Sequence, residues 1–258
     1  MLRMRCMHKL KKASEIKDEE ELMEISGWLR GKKLKAITEE IAQSDGESRV
    51  KTKGNVGYVI EEGFFGIKKN SVADSDIEHL GIEIKTCPLK HDKSGRNLQV
   101  KEPLSLGIIN YNEESKHTSI TDSKLYKKNK KILIICYIQD IGVERSEYPI
   151  KYVFIWNMNN EVLKELEPDY QKIVSNILQG RAHEIHQTQH DNLTICPKHS
   201  GKYKDEKCSK SKTTQPFSKV KPEVRAFRLK SSYMAKVITR HLGKKLQKKG
   251  RSLFWSED

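Results

Sequence analysis

Asp76, Glu83 and Lys85, within the stretch DIEHLGIEIK at 76–85, are two acids and a base of the kind that can organise a hard cation beside a phosphate. Glu83 and Lys85 stand two residues apart in LGIEIKTCPL, where Ile82 and Ile84 alternate with them as in a half-buried strand. Both charged side chains therefore leave the same strand face, roughly 6–7 Å apart along it. Asp76 precedes the strand and can fold back toward that face. Two converging carboxylates suit Mg²⁺, with waters and a substrate phosphate completing the octahedron. A cation held there polarises a phosphate and activates water, while a neighbouring lysine steadies or deprotonates the attacking water. Those are the requirements of phosphodiester hydrolysis. The same three charges also fit a solvated cross-strand pair on an ordinary strand. The apolar opposite face, the Cys87-Pro88-Leu89 continuation and a preceding helix that presents Glu61 as a third acid favour the site.

That site needs a strand held in a packed core, and the chain supplies candidates. Residues 19–43 carry apolar residues at helical spacing (Leu22, Ile25, Leu29, then Leu34, Ile37, Ile41) interrupted at Gly31, which predicts two short helices. A third helix starts near Asn55, where Val56, Val59 and Ile60 set Glu61 beside the core. LSLGIINYN (104–112), KKILIICYI (130–138) and KYVFIWNM (151–158) read as further strands, two of them with the unbroken apolar runs of buried central strands. DYQKIVSNILQG (169–180) reads as an amphipathic helix closed by glycine, and residues 227–250 as a last helix. Residues 1–18 are expected to form a basic, loosely ordered N-terminus, 199–221 a mobile lysine-rich loop and 251–258 a tail around a domain spanning 19–250. The expected class is mixed α/β.

Composition says what such a domain would meet. Lys and Arg number 49 against 35 acids, a net charge of +14, and so large an excess favours a polyanion such as double-stranded DNA. No apolar run approaches the ~18–20 residues of a membrane span, so no membrane partner is expected. Five cysteines without a dense framework, and an N-terminus lacking a secretory apolar segment, point to a reducing, cytoplasmic setting, nucleoid-associated when bound to DNA.

Five segments then stand in a recognisable order: KGNVGYVIE (53–61), DIEHLGIEIKTCPL (76–89), LSLGIINYNEE (104–114), CPK (196–198) and QPFSKVKPEVRAFRLKSSYM (215–234). In them the chain resembles the MutH family, which includes a mismatch-repair nicking endonuclease and type II restriction endonucleases that cut at GATC. The resemblance covers roughly residues 20–243, and the 104–114 and 215–234 segments are more similar to the restriction branch. It implies a restriction-endonuclease-like fold, with a mixed sheet carrying a PD-(D/E)xK site and flanking helices forming two lobes around a DNA cleft. It implies that Asp76 and Glu83 hold Mg²⁺ (Mn²⁺ substituting), that Lys85 is the active-site lysine, and that Glu61 lies at the site's edge. It matches Lys53 to a DNA-contacting lysine and Lys128 to a second lysine near the scissile phosphate, with the run 127–131 leaving that register open by one. Pro197 and Lys198 fall in the family's base-reading loop, where Cys196 replaces the Arg of MutH, as in the restriction branch. Arg is the strongest reader of guanine, so its absence bears on GATC itself. Arg225, Arg228, Lys230 and Tyr233 are further candidates for base or phosphate contacts. A restriction enzyme of this kind would have a cognate DNA methyltransferase as functional partner and, to cut both strands, a homodimer on DNA.

Other chemistries are weaker. His183, His186, His190, Cys196, His199 and Cys208 gather in one region, but without the paired C-x2-C spacing of a zinc knuckle they read as loop residues near DNA. Cys136, inside an apolar strand, reads as a buried small hydrophobe. The leading function is a Mg²⁺-dependent, sequence-specific DNA endonuclease at GATC or a close relative. A MutH-like strand nickase and a non-catalytic DNA-binding module are the alternatives.

Overall fold

A computed structural model describes residues 11–45, 56–67, 74–198, 212–250 and 252–257. In chain order the main elements are α1 (Glu19–Gly27), α2 (Leu34–Asp45), α3 (Val56–Tyr58), β1 (Ile82–His91), β2 (Asn97–Val100), β3 (Leu104–Ile108), α4 (Tyr111–Glu114), α5 (Lys124–Asn129), β4 (Lys131–Ile138), β5 (Ile150–Asn157), α6 (Asn160–Leu178), β6 (Leu193–Pro197), β7 (Arg225–Leu229), α7 (Ser231–Leu242), β8 (Gln247–Lys249) and β9 (Ser252–Ser256). The architecture is mixed α/β, divided into two compact units: Met1–His91 with Lys131–Trp156, and Asp92–Lys130 with Asn157–Asp258.

The first unit is built on the strand order β5-β4-β1. β1 and β4 run parallel, with Glu83 opposite Ile132 and Lys85 opposite Ile134. Ile132 through Cys136 are fully buried, as a central parallel strand covered on both faces requires. Asp18 caps α1 by accepting the Glu21 N–H at 2.8 Å. The chain turns out of this first helical stretch at Gly31, whose φ of 77° suits glycine and whose N–H reaches the Ile150 carbonyl at 2.8 Å. α3 runs on into a π-helical turn, Val59–Phe64. Val56, Val59, Ile60, Phe64 and Phe65 bury there with Leu22, Leu29 and Ile37 against Ile82 and Ile84 of β1. β1 is thus anchored by its apolar face.

The second unit carries strands in the orders β2-β9-β8 and β3-β7-β6, all antiparallel where register is defined. Its long helix, α6, begins at Asn159, which accepts the Val162 N–H at 3.0 Å, and ends before Gly180 at φ 68°. Asp169, 2% exposed, is turned inward from α6 and accepts the N–H groups of Asp191 (3.0 Å), Asn192 (2.7 Å) and Leu193 (3.0 Å). One buried carboxylate therefore ties α6 to the start of β6.

Several sequence expectations are corrected. α6 starts nine residues before Asp169 and passes through Pro168, because buried Val162 and Leu166 hold its first turns in the core against the proline's preference to break them. Residues 227–250 are not one helix: they hold β7, α7 and β8, with Gly243 at φ 63° closing α7. The 251–258 tail contains β9, whose Trp255 is fully buried and pairs with Leu98 of β2. Its lysine-rich approach hid a hairpin turning at Gly250. The N-terminal boundary also moves, since Ala13 and Ile16 are buried and the Ala13 N–H reaches the Phe65 carbonyl at 2.8 Å. Residues 212–221 are laid down in a bonded excursion rather than a loose arm, whereas 199–211, including His199 and Cys208, lie outside the described residues. LSLGIINYN ends its strand at Ile108 and turns into α4. Among the described residues no helix is long and apolar enough to cross a membrane.

Candidate active site

The seven-residue step from Asp76 to Glu83 closes on itself. Ile77 and Ile82 form a reciprocal bridge, N–H to carbonyl at 2.9 and 3.2 Å, and a short 3-10 turn over Glu78–Leu80 reverses the chain between them. Gly81 completes the reversal at φ 64°, a conformation that side chains with a Cβ adopt at a cost of about 1–2 kcal/mol. Residue 76 is thereby brought beside residue 83. The Asp76 N–H donates to Glu83 Oε2 at 3.2 Å, and Asp76 Oδ2 accepts the Ile84 N–H at 2.8 Å. Asp76 Oδ1 accepts no hydrogen bond from a described residue.

Lys85 leaves β1 on the Glu83 face and its Nζ ion-pairs with Glu83 Oε1. The Glu83 side chain is 2% exposed and that of Lys85 22%, so the pair spans from interior to surface. A buried carboxylate is sustained only by such partners. Cys87, next on that face, lies opposite Cys136 of β4 and is fully buried with it. Burial pushes the Cys136 thiol well above its ordinary value, with the Cys87 hydrogen bond adding to it. Both are packing residues, as Cys136 was expected to be.

Glu61 stands half-buried on the π-helical turn. A Cβ on Gly57 would lie at ordinary contact distance, 3.4 Å from Glu61 Oε1 and 3.7 Å from Thr86 Oγ1, so Glu61 and Thr86 both flank residue 57. Thr86 belongs to the alternate face of β1. Among the described residues no group of three His, Cys, Asp or Glu side chains is placed to hold a metal ion. A two-carboxylate, all-oxygen set still fits Mg²⁺, which is ordinarily held by one or two carboxylates with waters and phosphate rather than by a protein cage. The same finding leaves the histidine-rich region without a zinc set among described residues.

The remaining candidates lie in the second unit, except Lys53, which is outside the described residues. Lys128 is half-buried in the last turn of α5, whose end is fixed by Asn129 Nδ2 donating to the carbonyls of Leu106 (3.0 Å) and Leu125 (2.8 Å). Cys196 is buried at the end of β6, its Sγ donating to Gln187 Oε1 at 3.3 Å, and burial raises its thiol. Pro197 lines a cleft of about 500 Å³ together with Ile195, His186, Lys212 and Lys221. Lys198 is exposed, while its N–H is fixed on the Val224 carbonyl at 2.9 Å. Arg228 is half-buried opposite Thr194.

Two expected DNA contacts are turned inward instead. Arg225 is 6% exposed, and its guanidinium donates to the carbonyls of Ile185 (2.7 Å), Ala182 (3.0 Å) and His183 (3.3 Å). Tyr233 is fully buried and donates to Glu165 Oε2 at 2.7 Å, a carboxylate also held by both terminal nitrogens of Arg240. Their polar ends hold the unit together, a duty that sequence alone does not distinguish from DNA contact. Sequence reasoning also missed Asp169, whose position after Pro168 gave no sign of its three backbone partners.

Lys230 Nζ donates to the carbonyl of His190, itself 2% exposed. Burial lowers the His190 pKa below 6.5, and Lys172 and Lys230 act in the same sense against Asp169. A depressed imidazole pKa means that the folded state binds the proton less well than the unfolded chain. His190 therefore stabilises fully above pH 6.5, and that contribution is lost as pH falls from there through its folded value. In urea titrations the wild type should lose more stability between pH 7 and 5 than His190→Gln. Parallel curves would show that this histidine is not titrating in the fold.

A family model for the DNA mismatch repair enzyme MutH matches residues 65–169, which include Asp76, Glu83, Lys85 and Lys128. Over these residues the chain is similar to the MutH family. The type II restriction enzyme Sau3AI of Staphylococcus aureus is 32% identical over 202 residues, covering 76% of this chain and 39% of that enzyme. MutH of Actinobacillus pleuropneumoniae serotype 5b is 29% identical over 182 residues, covering 70% of the chain and 76% of MutH. MutH of Shewanella baltica strain OS155 is 24% identical over 223 residues, covering 86% and 95%. The chain thus spans well under half of the restriction enzyme but most of the MutH proteins. The mixed α/β architecture is consistent with the restriction-endonuclease-like fold of the MutH family, and the identity is higher to the restriction enzyme than to these MutH proteins.

Proposed function

We propose that this protein is a Mg²⁺-dependent, sequence-specific DNA endonuclease of the type II restriction class, acting on double-stranded DNA at GATC or a closely related site. The observation that carries the reading is the closure of Asp76 onto Glu83 beside Lys85. Asp76 and Glu83 are the residues that would hold Mg²⁺ or Mn²⁺. Bound there, the cation would polarise the scissile phosphate and lower the pKa of a coordinated water. Glu83 does two jobs, since its Oε1 also fixes the Lys85 ammonium at the mouth of the site. Lys85 orients the attacking water and neutralises charge building on the phosphate. Glu61, at the edge, would order water rather than bind metal. Lys128 and Lys53 would grip flanking phosphates.

Base reading is assigned to Pro197 and Lys198, with Arg228 and Lys230 beside them, and the net charge of +14 supplies the sequence-independent attraction. Lys198→Ala should weaken binding to the cognate duplex by tenfold or more, about 1–3 kcal/mol, while barely changing binding to unrelated DNA. Equal losses on both, measured by anisotropy at one salt concentration, would make Lys198 a phosphate contact. Cutting both strands calls for two copies of this chain on the site. A methyltransferase of matching specificity is the functional counterpart, and the setting is the cytoplasm.

A nicking enzyme of the MutH kind is the second reading, supported by the MutH family-model match and the similarity to MutH proteins. Digestion of a supercoiled plasmid in adenine-methylated and unmethylated forms, with sequencing of the ends, separates them. Linear product with ends at GATC supports the restriction reading. Open circles alone support the nickase, and ends scattered over sequence would refute both.

A further inference from the structure

We infer that Phe217 is a stacking wedge, an aromatic ring held out on a rigid turn to insert against the bases of the bound duplex. This rests on the DNA-endonuclease reading above and adds a residue to it. Phe217 is 74% exposed, whereas Phe64, Phe65, Phe154, Phe227, Trp156 and Trp255 are buried. It is also the one non-glycine residue with positive φ, 60°, among the described residues. Exposing a phenyl ring to water and holding its backbone in the left-handed region both cost free energy, and a mobile surface loop would relieve both.

The turn is instead fastened from beneath. Gln215, 6% exposed, accepts the Ala182 N–H at 2.8 Å and donates to the Val220 carbonyl at 2.6 Å, bracketing the turn from inside. Gln215 and Ser218 bridge across it. Gly180 admits the turn's backbone so closely that a Cβ there would lie 2.7 Å from the Phe217 carbonyl oxygen. The legs below are tied as well, by the Lys212–Glu223 bridge and by the Thr213 N–H on the Pro222 carbonyl at 2.9 Å. One residue further, the Val224 carbonyl takes the Lys198 N–H. The excursion that presents Phe217 is therefore rooted on the segment assigned to base reading.

Its chemistry selects the occupant. Lys212, Lys219 and Lys221 are exposed along the legs, and Val220, three residues after Phe217, is 51% exposed. No acid lies between Lys212 and Lys221. An apolar tip flanked by cations matches a duplex, where lysines meet phosphates and the ring meets base faces. Apolar side chains inserted at base steps unstack and kink DNA, and a preformed turn avoids paying the ordering cost on binding.

The test uses the full chain with Ca²⁺ in place of Mg²⁺ and GATC duplexes carrying 2-aminopurine at successive positions within and beside the site. Wild-type binding should raise the fluorescence at one or two positions. Phe217→Ala should abolish that rise and weaken binding by about tenfold or more. Phe217→Trp should keep both, and the slope of log affinity against log salt should stay the same in all three, since no phosphate contact is touched. Thermal melting confirms folding, because alanine relieves nothing that holds the unit together. Unchanged affinity and fluorescence in Phe217→Ala would overturn the wedge while leaving the endonuclease reading intact. Failure of the wild type to bind any duplex would remove that reading and the wedge with it.

Discussion

Glu83→Ala is expected to reduce Mg²⁺-dependent DNA cleavage by about 10³-fold or more, since the metal contact alone is worth several kcal/mol in the transition state. Two losses coincide in this variant. One of the two carboxylates available to a cation disappears, and Lys85 loses the partner that fixes its Nζ. The fold should survive, because Ile82 and Ile84 on the other face of β1 keep their burial and the β1–β4 register is carried by backbone. Circular dichroism should show a normal spectrum and a cooperative melt. Glu83→Gln separates the contributions: it keeps the side chain's size but removes the charge that binds metal and pairs with Lys85. Cleavage near wild-type level in either variant would dismiss the Asp76–Glu83–Lys85 site.

Asp169→Ala has the largest expected effect on stability, about 3–5 kcal/mol. Each hydrogen bond to a buried charge contributes about 1.5–3 kcal/mol, and the unpartnered N–H groups left behind carry their own desolvation cost. Three backbone donors, of Asp191, Asn192 and Leu193, would be stranded at the start of β6. In a chain of this size the melting temperature should fall by roughly 6–20 °C, at about 2–4 °C per kcal/mol. Asp169→Asn should fall between the two, retaining one acceptor oxygen but no charge. A melting shift under about 2 °C for the alanine variant would mean that water replaces the carboxylate without penalty. Because β6 leads into Cys196, Pro197 and Lys198, the same variant should also weaken sequence discrimination before it abolishes non-specific DNA binding.

What the sequence disclosed tracks how local its signals are. β1, β4 and β5 were legible from alternation and unbroken apolar runs, and the helices before them from apolar spacing and the break at Gly31. The Asp76/Glu83/Lys85 cluster was visible as spacing, but its closure depends on the Ile77–Ile82 bridge and on φ 64° at Gly81, which no residue type announces. The helix read from Asp169 begins nine residues earlier, because the preference of Pro168 to break a helix carries no information about the core that α6 fills. The lysines of 244–249 imitated a solvated helix end and concealed the strand that buries Trp255. Arg225 and Tyr233 show the converse limit. A guanidinium and a phenol have the same chemistry whether they meet DNA or a neighbouring carbonyl or carboxylate, and only the tertiary fold chose the latter.

The central claim is that Asp76, Glu83 and Lys85 form one metal-dependent phosphodiester-cleaving site. Its most direct measurement is the time course of supercoiled GATC plasmid cleavage by the wild type, Asp76→Asn and Lys85→Met, each with Mg²⁺ and with EDTA. Cleavage by the wild type only when Mg²⁺ is present, with both variants inactive yet folded and still binding the plasmid, is the predicted result. Cleavage by the wild type in EDTA, or undiminished cleavage by either variant in Mg²⁺, would contradict it.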